Sequence, residues 1–214
     1  MKKVCIAFLC FCMCLTVMVG CGKPQRNAAD SIKAIYDLYI LRDTDGISSL
    51  GMTEEEIADA QAAYDDSLKE TIRTNFSESG QSIEEDVLND LCDARKKALS
   101  KMTATAEITS ESDGRATVLL HTTYIDEATL DEDSFYNARE IAQQTSFDDL
   151  SQQQIFLMDT YTQNLIASYE GVTPSKDTVA ITVDCVIQDN NWVPANMSSF
   201  GSDLAIAISG SMQD

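Results

Sequence analysis

The 214-residue chain has a single histidine, His121, so any site that needs an imidazole to shuttle a proton for a nucleophile must be built on that residue. His121 alternates with Thr117, Leu119 and Thr123 in a segment with the period of a β-strand, where a lone imidazole is expected as a surface or structural side chain. A second ligand for a His-paired metal site does not exist in the sequence. Carboxylates are abundant, with 35 Asp and Glu, but abundance reads first as solvated helix faces. Asp43-Thr44-Asp45-Gly46 opens like a calcium loop. The positions where further oxygen ligands are needed hold Leu41 and Met52, so the ligand set fails. Asp126-Glu127 and Asp131-Glu132-Asp133 read as acids near a helix N-terminus, which the macrodipole favours. There is no Gly-rich phosphate loop, nucleophile elbow or zinc helix. No catalytic residue, metal site or cofactor is therefore expected.

The remaining clue is aromatic. Tyr124 and Trp192 beside His121 are the candidate lining of a pocket, with Tyr161 and Tyr169 on a nearby helix, because rings with a polar handle suit a concave binding site. Core packing explains rings at sheet and helix spacing as well. Of seven cysteines, Cys5, Cys10, Cys12 and Cys14 lie in an apolar leader and Cys21 follows it, leaving Cys92 and Cys185. Cys92 shares a helical stripe with Ile83, Val87, Leu88, Leu91 and Leu99. Cys185 alternates with Val179, Ile181, Val183 and Ile187. Both read as buried thiols acting as small hydrophobes. A disulfide between them is open in an extracytoplasmic compartment, provided the Cα atoms come within about 7 Å.

The compartment is read from the N-terminus. Lys2-Lys3, the apolar run Val4 to Val19 and the small Gly20 describe a signal peptide over residues 1–20. Met18-Val19-Gly20-Cys21 resembles the lipobox of bacterial lipoproteins, which implies cleavage between Gly20 and Cys21 and a lipidated Cys21. Two other readings stand beside it. One is an uncleaved membrane helix of about 19 residues, close to the ~20 that a span needs, with Thr16, Gly20 and Gly22 against it. The other is a plain signal peptide with a trimmed Cys. Without residues 1–20 the chain has 13 basic and 35 acidic side chains. That excess repels nucleic acid and anionic head groups, so membrane association must come from acyl chains. Residues 21–27 form a short lipidated tether, of which Gly22 to Asn27 reach about 20 Å at ~3.5 Å per residue.

Residues 28–214 are expected as one acidic α+β domain, a helical part over 28–102 and a sheet-and-helix part over 103–214. Ile32, Ile35, Tyr36 and Tyr39 give one face of a helix over 28–42, ended by Asp43 to Gly46. Thr53-x-x-Glu56 is a capping box for a second helix that carries Ile57, Ala60, Tyr64, Leu68, Ile72 and Phe76 and stops at Ser79-Gly80. Ser82-x-x-Glu85 caps a third, to about Met102. Thr103 to Ser110 and Arg115 to Ile125 flank Ser112-Asp113-Gly114 as a hairpin. Helix returns over 127–169, split near 145–151 with a fresh cap at Ser151-x-x-Gln154. Thr178 to Gln188 turns through Asp189-Asn190-Asn191 into Trp192-Val193, a second hairpin, and Ser199 to Ser209, with Leu204, Ile206 and Ile208, reads as a short helix or a strand, Gly210 behind it favouring the helix. The sum is an antiparallel sheet of about four strands. Strand two has apolar residues on both sides, so helices are expected over parts of both faces.

The tether, the helix from Ala28 to Tyr39 and the closing Val179-Ala-Ile-Thr-Val-x-Cys-Val-Ile with Asp189-Asn-Asn-Trp192-Val193 resemble a group of small Gram-positive lipoproteins. Their domain, of unknown function, is cystatin-like or nuclear-transport-factor-like. The resemblance brings no catalytic residues. It implies a cell-surface domain whose curved sheet forms a pocket. The expected function is a lipid-anchored, non-enzymatic module on the extracytoplasmic face of the cell membrane, binding an unknown protein or small-molecule ligand and no nucleic acid. An enzyme or enzyme accessory working on envelope material through His121, and a structural spacer, are the alternatives.

Overall fold

The computed structural model describes residues 26–212. The expected signal peptide, the Gly20-Cys21 cleavage and lipidation site, and the tether as far as residue 25 lie outside them. The first helix, α1 (Ala28–Tyr36), is capped by the Asn27 side chain, which accepts from the Asp30 amide. It runs into a π-helical turn, Asp37–Leu41, and stops where Arg42 turns left-handed at φ 62°. The wider turn shifts the buried face and lets three consecutive residues, Leu38, Tyr39 and Ile40, all bury. Asp43 to Gly46 is not simply a stop, because Asp45–Ser48 forms a short helix, α2. In α3 (Glu54–Glu78) the Thr53–Glu56 capping box forms and Ile57, Tyr64, Leu68, Ile72 and Phe76 make the buried stripe.

Helix α4 (Glu85–Leu99) begins after Glu84 with no side-chain cap, so Ser82 does not cap it as the spacing predicted. Strands β1 (Ala104–Ser112) and β2 (Arg115–Thr123) form the first hairpin, with Asp113 and Gly114 both at positive φ, as a two-residue turn between twisted strands requires. Helices α5 (Glu127–Gln144) and α6 (Leu150–Gly171) follow as an antiparallel-connected pair. The cap of α6 is Asp149, accepting from the Gln152 amide, and not Ser151. The chain closes with β3 (Thr178–Gln188), a turn with Asp189 and Asn190 at positive φ, β4 (Asn191–Pro194) and α7 (Met197–Ile208). Gly210, at φ 77°, packs so closely that a Cβ there would lie 2.9 Å from a Tyr124 ring carbon.

The sheet is antiparallel throughout, in the order β1-β2-β3-β4, and the chain is thus α+β with two hairpins as expected. Its inner face is Ala116, Val118, Leu120 and Thr122 on β2 and Val179, Ile181, Val183 and Cys185 on β3, all buried. Helices α1 and α7 pack on the strands, and the buried Tyr36 hydroxyl is hydrogen-bonded to Thr122 at 2.7 Å. The other face, with Thr117, Leu119 and His121 beside Asp184, Thr182 and Ala180, stays open. The expectation that helices cover both faces fails for two reasons. Leu119 is the one large aliphatic of β2 among polar side chains on that face. Ile125 lies beyond the strand, where its amide donates to the Ile208 carbonyl and the alternation no longer applies.

The helical layer is joined to the sheet by a buried ion pair. Arg95 on α4 donates from Nε to Glu127 Oε1 at 2.7 Å and from Nη2 to Oε2 at 3.2 Å, and both side chains are under a tenth exposed. Glu127 is the first residue of α5, so the helix N-terminus also favours its charge. Its amide donates to the Ile125 and Ser209 carbonyls, which fastens the end of α7 to the same point. Burial would pull the Arg95 guanidinium down, but the Glu127 carboxylate more than offsets this and holds Arg95 charged. The buried Tyr169 hydroxyl feels both charges yet lies outside hydrogen-bonding geometry, and Arg95 Nη1 is also unpartnered.

Replacing one partner should leave a buried charge alone. Arg95→Met is expected to cost roughly 3–5 kcal/mol in denaturant unfolding, while the double variant Arg95→Met/Glu127→Leu recovers most of that loss. Equal losses in the single and double variants would show that the cost lies in losing the ion pair itself and not in stranding the Glu127 charge.

Candidate functional site

The three side chains expected to line a pocket are not brought together. His121 is on the open face of the sheet, half-exposed, with Nε2 3.9 Å from Glu107 Oε1 on the neighbouring strand. Trp192 pairs with Ile187 across β3 and β4, on the opposite side of the sheet, and is buried in the core. Tyr124 is half-buried just past β2, against Gly210, and its carbonyl accepts from the Ser175 amide. The cause is strand parity: His121 and Trp192 differ in the face their register assigns them.

The cysteines are also apart. Cys92 lies in the buried stripe of α4 and Cys185 on the inner face of β3, both as free thiols. Burial pushes the Cys92 thiol up to about 11 and the Cys185 thiol up to about 12, far from the thiolate a nucleophile requires. The Cys92–Cys185 disulfide therefore does not form, because the two residues belong to different packing layers.

Tyr161 and Tyr169, the helix pair, are core residues of α6. The Tyr161 hydroxyl donates to Asp131 on α5, and its ring meets Phe135 edge-on at 5.9 Å and Phe76 at 6.3 Å. Burial raises Asp131 above the ordinary carboxylate range, the hydrogen bond from Tyr161 acting against it and the Glu132 and Glu127 charges adding to it. Thus the two acidic runs are occupied with structure: Glu127 holds Arg95, and Asp131 holds Tyr161. Among the described residues no group of three His, Cys, Asp or Glu is placed to hold a metal ion, and no helix is long and apolar enough to cross a membrane.

What the sequence reading passed over is an uncovered apolar surface. Leu150 is 81% exposed and Ile155 59% exposed on α6, with Ile141 and Tyr136 exposed on α5. Phe147 and Phe156 stack at 5.2 Å across the connection. A signal was available, because Ile155, Met158, Thr162, Leu165 and Tyr169 form one stripe at helical spacing. Its second half is buried, Met158 is partly buried against the core, and Ile155 is exposed.

No protein-family model matches the chain, and no curated protein matches it. Among solved structures it is similar to the candidate lipoprotein ycdA of Bacillus subtilis subsp. subtilis str. 168, at 17% identity and a TM-score of 0.64. The match covers 85% of this chain and 55% of that protein, so this chain spans about half the length of its structural relative. What the two share is the α+β fold.

Two consequences are measurable. Because Asp131 binds its proton more tightly in the folded chain, its protonation adds stability as pH falls from the raised folded value toward about 3.8, and that contribution is lost as pH rises back through the folded value. Asp131→Asn keeps an acceptor for Tyr161 and should flatten this part of the stability curve; an unchanged slope in urea titrations refutes the assignment. Both thiols should resist a maleimide in the native protein and react once it is unfolded.

Proposed function

We propose that this chain is a lipid-anchored, non-enzymatic binding module on the extracytoplasmic face of the cell membrane. The observation that carries the reading is the surface chemistry. The groups that could react are held in structural roles or stand open to solvent, while large apolar side chains, Leu150 and Ile155 foremost, are left uncovered on a strongly acidic domain. Exposed apolar surface of this kind, rimmed by polar groups, marks a contact with another molecule.

The start of the fold fits a short tether. Ala28, the first residue of α1, is fully buried, so six residues, Gly22 to Asn27, separate the folded domain from Cys21. Two acyl chains at Cys21, at ~0.8 kcal/mol per buried methylene, supply stable attachment. The fold shared with a candidate lipoprotein of a Gram-positive bacterium supports the same location. The cystatin-like resemblance belongs to this reading as well, supported by a helix lying against an antiparallel meander.

Fatty-acid labelling in a Gram-positive host tests the anchor. The native chain should take up label and fractionate with the membrane, and Cys21→Ser should lose the label. Continued membrane retention of the unlabelled variant at uncut size would instead favour the uncleaved leader. His121→Ala should leave the fold and the partner contacts unchanged. Loss of an activity without loss of stability would move the protein to the enzyme reading.

A further inference from the structure

The stripe on α6 that packs against α4 continues past the end of its neighbour. Lys101, just beyond α4, donates to the carbonyls of Glu170 and Val172, at and just past the end of α6, and Arg95 lies beside Tyr169. The two helices therefore run in the same direction with their C-terminal ends together. At the other end, Arg73 binds Glu85, the first residue of α4, and the Phe76 ring lies tilted 6.3 Å from that of Tyr161. The start of α4 is thus level with about Tyr161. Residues 150–158 project beyond it by about 12 Å at ~1.5 Å per residue. Along the stripe Met158 is partly buried against the core, Ile155 beyond it is exposed, and Leu150 stands open at the helix start.

The rim of this overhang has one sign. From Glu127 to Gly171 the single base is Arg139, and of the acids there Glu127 and Asp131 are taken up by Arg95 and Tyr161 while Glu170 lies at the far end of α6. Asp148 and Asp149 stand just before α6, Asp159 is one residue past Met158, Glu78 ends α3 and Glu84 immediately precedes α4. The nearby cation Arg73 is held by Glu70 and Glu85.

We infer that the uncovered N-terminal half of α6, with the α5–α6 connection, docks a cationic amphipathic helix of a partner protein, laid along α6 in continuation of α4. The inference rests on the binding-module reading and deepens it by giving the chemistry of the partner. A stripe at helical spacing is complementary to anchors at i, i+3, i+4 and i+7, and the acidic rim selects Lys and Arg on their flanks. The same rim disfavours the alternatives. An anionic lipid surface and the equivalent acidic surface of a second copy both bring like charge to it.

The test uses the full chain in its own membrane, with a benzophenone amino acid at Ile155, or at the still more exposed Leu150 if the first variant folds poorly, and at Leu119 on the open sheet face as the reference position. An added 18-residue Leu/Lys peptide with helical spacing should crosslink at residue 155 at least tenfold more than at 119, and more than a scrambled peptide of identical composition. Leu150→Gln, which leaves the charge unchanged, should reduce that capture about tenfold. In cells, the segment captured at 155 should be rich in Lys and Arg with apolar residues at i, i+3 and i+4. Equal capture of the scrambled peptide, or capture of lipid or of a second copy at 155, overturns the inference. Capture of a partner at 119 alone overturns it while leaving the binding-module reading standing, and capture at neither position in cells removes both.

Discussion

The fold depends on a charge pair in a place where charges are costly. Arg95 and Glu127 are almost entirely removed from water, and the solvation lost by two such ions is recovered only by close, bidentate geometry. What the pair provides is position. Arg95 comes from the helical part, and Glu127 is the point where the chain leaves the sheet to begin α5. The backbone of Glu127 also receives the end of α7 through the Ser209 carbonyl. One salt bridge therefore fixes where α4, α5, α6 and α7 meet. An apolar contact of equal volume would not specify this so narrowly, because dispersion has no direction.

Much of this architecture is legible in the residues. The Thr53–Glu56 capping box, the two hairpin turns and the stop at Gly210 are local signals, and each forms where its residue types allow only a few backbone conformations. The sites of failure are also physical. Ser82 and Ser151 have the capping pattern, but α4 starts at Glu85 with no side-chain cap and Asp149 takes the α6 cap, three residues before the amide it accepts from. The π-helical turn at Asp37–Leu41 is invisible to a 3.6-residue pattern, because its whole effect is to break that period.

The candidate pocket was less legible than the fold. A pocket requires three-dimensional convergence, and alternation along a strand says which residues share a face only when the strands' register is known. His121 and Trp192 lie on adjacent hairpins, and pairing Thr182 with Leu119 and Ile187 with Trp192 puts them on opposite sides. The uncovered half of α6 shows the complementary difficulty. Periodicity marks Ile155 as part of a buried face, and that is right for Leu165 and Tyr169 and in part for Met158 on the same stripe. Whether a face is covered depends on where the neighbouring helix begins, which is a tertiary fact.

The start of α1 and the α5–α6 pair lie toward opposite ends of the sheet. Tyr36, at the end of α1, binds Thr122 at the end of β2 remote from both hairpin turns, while α1 also touches β4, which lies beside those turns. The N-terminus of α1 is therefore directed to the turn end of the sheet. Helix α5 leaves from the opposite end, directly after β2, and α6 returns there to enter β3. Under the proposed acylation of Cys21, the turn end would face the bilayer and the base of the α5–α6 pair would stand on the far side of the sheet. The acidic charge would then work in two ways. It would keep the domain off anionic head groups, and it would leave the exposed apolar side chains of α6 to the cationic segment inferred above.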